Sequence, residues 1–385
     1  MNSHRPMPWV RAPGSVPTIF ALILLLAPSV AGAQTTTTWG YDHDFRLTYE
    51  FDDNVNEQLI DPVRAQVARV AYSGDLRWGA GAEQRLSLSY QGGFKRHFGL
   101  TGDVDLANQF VNEGTVGYVR RMNESLALGG TLGLKNRSWT DDFFFINEDG
   151  FTRFNGSVNA LVNLEPVTPD QAARMEIGGR WSTIEFKNLD QTFGNDLWGA
   201  YATLAKEFGE DVTATVSYSF DQVRYPGRGV IRSDDADPAN AFRGPTRPRQ
   251  EDHLHELGAE LTWLGDVSIQ ADYNFRYNDS NSFGLSYLSH SFGLQVLRRF
   301  PWGLLAQFYG QVELRAFSEP VPNLTGAGSL DTGEAENNVL LLRLVKDVTP
   351  TYSVEVRYGR YRNESITLND FYTKNIYAVG VNYRP

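Results

Sequence analysis

Charged residues recur along this chain at even spacings. Arg174 and Glu176 precede Arg180, Asp272 precedes Arg276, Glu313 precedes Arg315, and Glu355 precedes Arg357. In an extended chain, residues separated by an even number share a face. On a closed sheet such a face can line a water-filled space, where mixed charges set a field for small solutes. The set read this way is Arg46, Glu50, Arg174, Glu176, Arg180, Asp272, Arg276, Glu313, Arg315, Arg343, Glu355 and Arg357. Asp75, Arg77, Arg85, Lys135, Glu260 and Lys374 fall on the same face by the same rule. The competing reading is ion pairing that stiffens or fills the interior.

Groups suited to covalent or metal chemistry are few. His253 and His255 share one face, about 7 Å apart on a strand. With Asp252 or Glu256 they could hold a metal, but no third ligand is spaced for it, and the pair reads as a polar strand mouth. Ser289, His290 and Ser291 alternate between faces, so they form no nucleophile–base pair. No catalytic residue, metal or cofactor is expected. There is no cysteine, hence no disulfide and no thiolate site. The formal charge of −11 argues against nucleic acid as a partner.

One long polar stretch, 224–252, has the composition of a constriction loop. It carries Arg228, Asp234, Asp235, Arg243 and Arg247 among prolines and glycines. It is too long for a simple turn, and it either folds into a lumen or stays at the surface.

The elements that position these residues follow from alternation. In the C-terminal segment Tyr377, Val379, Val381 and Tyr383 alternate with Ile376, Ala378, Gly380 and Asn382. One face is aromatic and β-branched, the other small or polar. In a membrane barrel lipid covers the apolar face, and the small polar face borders the lumen. The pattern recurs, as in Leu126, Leu128, Leu132 and Leu134 against Ala127, Gly129, Thr131 and Gly133, and in Val212 to Phe220 against Thr213 to Ser219. Sixteen such segments are found from residue 44 to residue 385, with fourteen to eighteen compatible with the pattern. Short and long connections alternate between them, as expected of an antiparallel up-and-down transmembrane β-barrel with short periplasmic turns and long extracellular loops. A mean hydropathy of −0.36 with 23 Phe, 18 Tyr and 8 Trp fits half-polar strands and aromatic girdles.

Arg5 and Arg11, an apolar run from Ile19 to Ala27, and Ala31-Gly32-Ala33 make a secretory signal peptide over residues 1–33. Residues 34–43 then form a short periplasmic segment before the barrel. The expected location is the outer membrane of a Gram-negative bacterium. The expected partners are outer-membrane lipid, the barrel assembly machinery, and small polar solutes or polysaccharide. The closing strand should carry the assembly signal in Tyr377, Gly380 and Tyr383, because Pro385 stands where such barrels usually end in an aromatic.

The run Tyr49-Glu50-Phe51-Asp52-Asp53-Asn54-Val55 resembles the first strand and Asp-Asn turn of the β-barrel porin-2 family, and Val379-Gly380-Val381-Asn382-Tyr383-Arg384 resembles its last strand. The resemblance implies an outer-membrane pore, often associated with exopolysaccharide export. The expected function is thus a porin-like channel or an export-associated pore. The alternatives are a closed structural or adhesin-like barrel and, third, a barrel-embedded lipid hydrolase.

Overall fold

The computed structural model describes residues 37–55, 62–81, 83–99, 108–139, 150–164, 172–186, 194–235, 246–319, 338–363 and 372–385. The leader over 1–33 and Arg243 lie outside them.

Alternating side chains make β-structure here, and sixteen strands form among the described residues. They are β1 Thr37–Asp52, β2 Ala65–Ala80, β3 Gln84–Gly99, β4 Gln109–Arg121, β5 Leu126–Trp139, β6 Phe151–Leu164, β7 Ala173–Phe186 and β8 Asn195–Phe208. They continue as β9 Val212–Gly229, β10 Arg249–Trp263, β11 Val267–Ser280, β12 Tyr287–Phe300, β13 Leu304–Phe317, β14 Asn338–Asp347, β15 Tyr352–Asn363 and β16 Tyr372–Tyr383. Each pairs with its sequence neighbours, and β1 pairs with β16, so the sheet closes into an all-β barrel. Closure removes the edges whose unpaired amides and carbonyls would be costly in lipid.

The connections differ at the two ends. Residues 122–125, 209–211, 264–266, 301–303 and 348–351 make tight turns at one end, where only three residues separate β2 from β3. Gly209 and Gly303 take positive φ there, 68° and 74°, a region that costs a glycine nothing. At the other end the strands β1, β3, β5, β7, β9, β11, β13 and β15 finish, and the intervals to the next strand are longer in sequence.

Two faces follow from the pleat. Outside lie Leu47, Leu88, Val116, Leu134, Val158, Ile177, Leu204, Val216, Leu261, Phe292, Val312, Leu344, Val356 and Val379, all exposed. Val158 has 62% of its surface uncovered and Val356 has 56%. A water-soluble monomer rarely shows an apolar surface that runs around the whole molecule. A bilayer covers such a belt. Aromatic pairs mark both rims of it: Trp39 with Trp78, and Tyr352 with Tyr383, toward the tight turns; Phe51 with Tyr377, and Phe94 with Phe110, toward the long connections. Girdles of this kind sit at the two membrane interfaces.

The first strand departs from the expected boundary. It begins at Thr37 and not near Asp44, because Thr38, Trp39 and Tyr41 continue the alternation along β2. The ladder between β1 and β16 runs from Phe45 opposite Tyr383 to Asp52 opposite Ile376. Residues 37–44 therefore overhang the end of β16. Beyond Tyr383, Arg384 donates its backbone N–H to the Thr351 carbonyl at 2.8 Å, and Pro385 has no N–H to give.

Candidate functional site

The inner wall is built from the even-spaced charged residues. Glu50 lies opposite Ala378, Ala378 opposite Arg357, and Arg357 opposite Arg343. Two arginines facing each other across β14 and β15 would repel. Each instead leans toward a carboxylate. Arg343 binds Glu355 through Nε at 3.0 Å and Nη2 at 2.5 Å. Arg357 crosses over the small Ala378 to Glu50 at 2.6 Å, and Arg69 reaches the other oxygen of Glu50 at 3.2 Å. Glu50 is 1% exposed. It therefore joins β15, β1 and β2 across the seam where the barrel closes.

Another crossing uses a glycine. Arg180 on β7, Gly199 on β8 and Asp221 on β9 stand in one row. Arg180 spans the row to Asp221, with Nε to Oδ1 at 2.8 Å and a further contact from Nη2 to Oδ2, and it also reaches the Ser219 hydroxyl at 3.1 Å. Any Cβ at Gly199 would lie on the Asp221 carboxylate. Arg276 pairs with Glu256 at 3.2 Å, and Glu313 holds Arg315 at 2.8 Å while accepting from the Ser289 hydroxyl at 2.6 Å. Glu176 accepts from Asn159 at 2.6 Å and from the Tyr201 hydroxyl at 2.7 Å. Arg46 binds Asn382 at 2.8 Å.

These charges thus share the inner face but form local pairs, not one cluster. Their signs are unevenly placed. Asp221, Asp252, Glu256, Glu260 and Asp272 lie on β9 to β11 with Arg276 among them, and Glu260 stands directly opposite Asp272. Arg69, Arg77, Arg85, Lys95, Arg121 and Lys135 lie on β2 to β5, with Asp75 and Glu113 among them. Arg77, Arg85, Arg121 and Arg174 are exposed to solvent although they face inward.

His253 and His255 take the opposite face. The Tyr218 hydroxyl lies 2.9 Å from His255 Nδ1, and His253 stacks on Phe220. Asp252 and Glu256 point inward, so the sheet separates the histidines from both carboxylates. The two rings stack on the outer aromatics, and His253 also lies 3.7 Å from Glu251, which pairs with Arg224 at 3.6 Å, so the polar strand mouth begins at His253. His290 likewise meets the Tyr273 hydroxyl outside at 2.8 Å, while Ser289 binds Glu313 inside.

The stem of the long 230–248 connection is well packed. Ile231, 1% exposed, donates its N–H to Ser282 Oγ at 2.9 Å, and its carbonyl accepts from the Phe283 N–H at 3.0 Å. Arg247 grips Asp235 with both ends of its fork at 2.7 Å, and Asp235 also accepts from the Arg232 N–H at 2.7 Å. These bonds hold the Asp235 carboxyl below its ordinary pKa, the Arg247 fork contributing most. The guanidinium of Arg228 stacks over Tyr225 at 4.5 Å, and Asp234 stands beside the Arg247 pair.

Of the closing-strand residues, Tyr377 and Tyr383 face outward against Tyr358 and Tyr352, at 5.1 and 4.9 Å. Gly380 faces inward, opposite both Thr48 and Glu355. Sequence reading overlooked Arg69, Asp221 and Glu256 as partners. Asp221 was within reach of the pattern, since it continues the face of Thr213, Thr215, Ser217 and Ser219.

No family model matches this chain, and no curated protein is similar to it in sequence. Among solved structures it is similar to OccAB1 of Acinetobacter baumannii, at 10% identity over 90% of this chain and 96% of that one, with a TM-score of 0.45. It is also similar to the Salmonella typhi OmpF complex with daunomycin, at 12% identity over 90% and 97%, with a TM-score of 0.41. The open form of the ferric-catecholate import receptor Fiu from E. coli K12 is similar at 9% identity over 90% and 82%, with a TM-score of 0.43.

Proposed function

We propose that the chain is a Gram-negative outer-membrane channel through which small polar solutes diffuse. The observation that carries this is the solvent exposure of Arg77, Arg85, Arg121 and Arg174 on the inner face of a closed barrel. Side chains can fill an eight-stranded barrel, whereas sixteen strands enclose a space they do not fill. The apolar belt and the tight turns at one end support a membrane-spanning placement with those turns in the periplasm. Acidic residues on β9 to β11 and basic ones on β2 to β5 would set a field across the lumen, which orients dipolar solutes. Arg228, Asp234, Asp235 and Arg247, held in the stem of the 230–248 connection by Ile231 and the Asp235–Arg247 pair, are the candidates for a constriction.

The resemblance to the β-barrel porin-2 family extends the proposal to export of polysaccharide, and solutes of graded size separate the two. Liposomes containing the purified barrel should swell in arabinose, more slowly in sucrose and more slowly still in stachyose. Swelling that persists with short dextrans favours the polysaccharide route. No swelling with any sugar would contradict the channel and favour a closed structural barrel.

A further inference from the structure

At the tight-turn end, three arginines on adjacent strands stand in a diagonal series on the inner wall. Arg77 of β2 is opposite Ser87, Arg85 of β3 is opposite Val119, and Arg121 of β4 is opposite Ala127. Arg85 is two residues from Ser87, and Arg121 is two residues from Val119. Each arginine is therefore the diagonal neighbour of the next, at a Cβ separation of about 7–8 Å. That spacing lets extended guanidinium side chains converge on one point. Gly79, Ser87 and Ala127 beside them are small, and all three arginines line a half-open cavity of about 810 Å³ that extends to Trp39 and Trp78 at the rim.

None of the three has a carboxylate partner among the described residues, whereas Arg69, Arg180, Arg276, Arg315, Arg343 and Arg357 all do. Asp75 shares the inner face of β2 and Glu83 sits on the turn at the cavity edge, yet neither forms an ion pair with the arginines. The backbone N–H of Arg121 is tied to the Glu83 carbonyl at 2.6 Å, which fixes the strand that carries it. Three cations at neighbouring positions without a counter-charge concentrate positive potential at one point of the wall, where a polyanion is attracted. Guanidinium forks match phosphate oxygens in pairs, so charge and geometry select the same ligand.

We propose that this cavity binds a compact, multiply charged phosphate-bearing solute. The binding stands on the three arginines; only the route by which the solute arrives rests on the channel reading.

The probe is inorganic tripolyphosphate, titrated calorimetrically into the detergent-purified full-length barrel at low salt. The expected result is saturable binding that weakens about tenfold or more when Arg77→Gln, Arg85→Gln and Arg121→Gln are combined. The single variant Arg85→Lys keeps the charge but loses the fork, and should weaken binding about threefold. It keeps the test open should the triple variant fail to fold. In planar bilayers, tripolyphosphate added on the tight-turn side should block current at lower concentration than on the loop side. A barrel that binds the probe but conducts nothing supports this site and overturns the channel reading. Equal affinity in wild type and the folded variants overturns the site.

Discussion

Glu50→Gln destabilises the barrel by about 3 kcal/mol, the lower end of the cost of breaking a buried ion pair. Glu50 is 2% exposed at its side chain and takes two guanidiniums, while Arg69 and Arg357 keep 38% and 21% of their surface. Solvent therefore screens the arginines in part, which is why the lower end applies. The neutral amide still fits the space but leaves two cations facing each other at the closing seam. Equilibrium urea unfolding of the refolded barrel reads the change. Glu113→Gln is the comparison, because Glu113 and Lys135 lie 3.6 Å apart with 45% and 34% exposure. That pair should contribute under about 1 kcal/mol. Equal losses from the two substitutions would show that Glu50 is not a special joint.

Gly380→Ala should lower the yield of inserted barrel more than any other small change in the closing strand. A Cβ at Gly380 would lie 2.6 Å from Thr48 Cγ2, 3.1 Å from Glu355 Cγ and 3.1 Å from the Leu47 carbonyl oxygen. The first contact forces a shift, and overpacking of this kind costs about 1–3 kcal/mol. It also disturbs Glu355, which holds Arg343. Thr48→Ser deletes the offending methyl, so in combination it should restore most of the lost yield. Tyr383→Ala leaves the ladder intact and removes the ring pair with Tyr352, a loss of about 1 kcal/mol beyond buried area. Heat-modifiable gel mobility of membrane fractions measures all three. Failure of Thr48→Ser to rescue Gly380→Ala would sink the steric account, and a greater loss from Tyr383→Ala would return the assembly role to the terminal aromatic.

The strands were legible because the pleat imposes a period of two and the belt demands apolar residues at that period. Segments such as Val212 to Phe220 show this without help. The strand ends toward the long connections were not, because they rise past the belt and turn polar on both faces. Gln222 and Arg224 continue the outer face of β9 after Phe220, and Glu251 precedes His253 on β10. The start of β1 was hidden for a different reason, since His43 interrupts the apolar face that Trp39 and Tyr41 continue, and Asp42 and Asp44 make the other face acidic.

Parity assigned the charged residues to one face, but it could not assign their partners. Which carboxylate an arginine reaches depends on the stagger between strands. Arg180 meets Asp221 only because β7, β8 and β9 align it over Gly199. Nothing local in the sequence encodes that alignment. The same parity parts the histidines from their sequence neighbours: His253 and Asp252 lie on opposite sides of the wall.

Single-channel conductance of the full-length barrel in a planar bilayer tests the central claim most directly. Stepwise insertion events of uniform size, each conducting steadily in potassium chloride, are the result expected of a water-filled lumen bounded by sixteen strands. Correctly folded, heat-modifiable protein that inserts and carries no current at any voltage or salt concentration would contradict it.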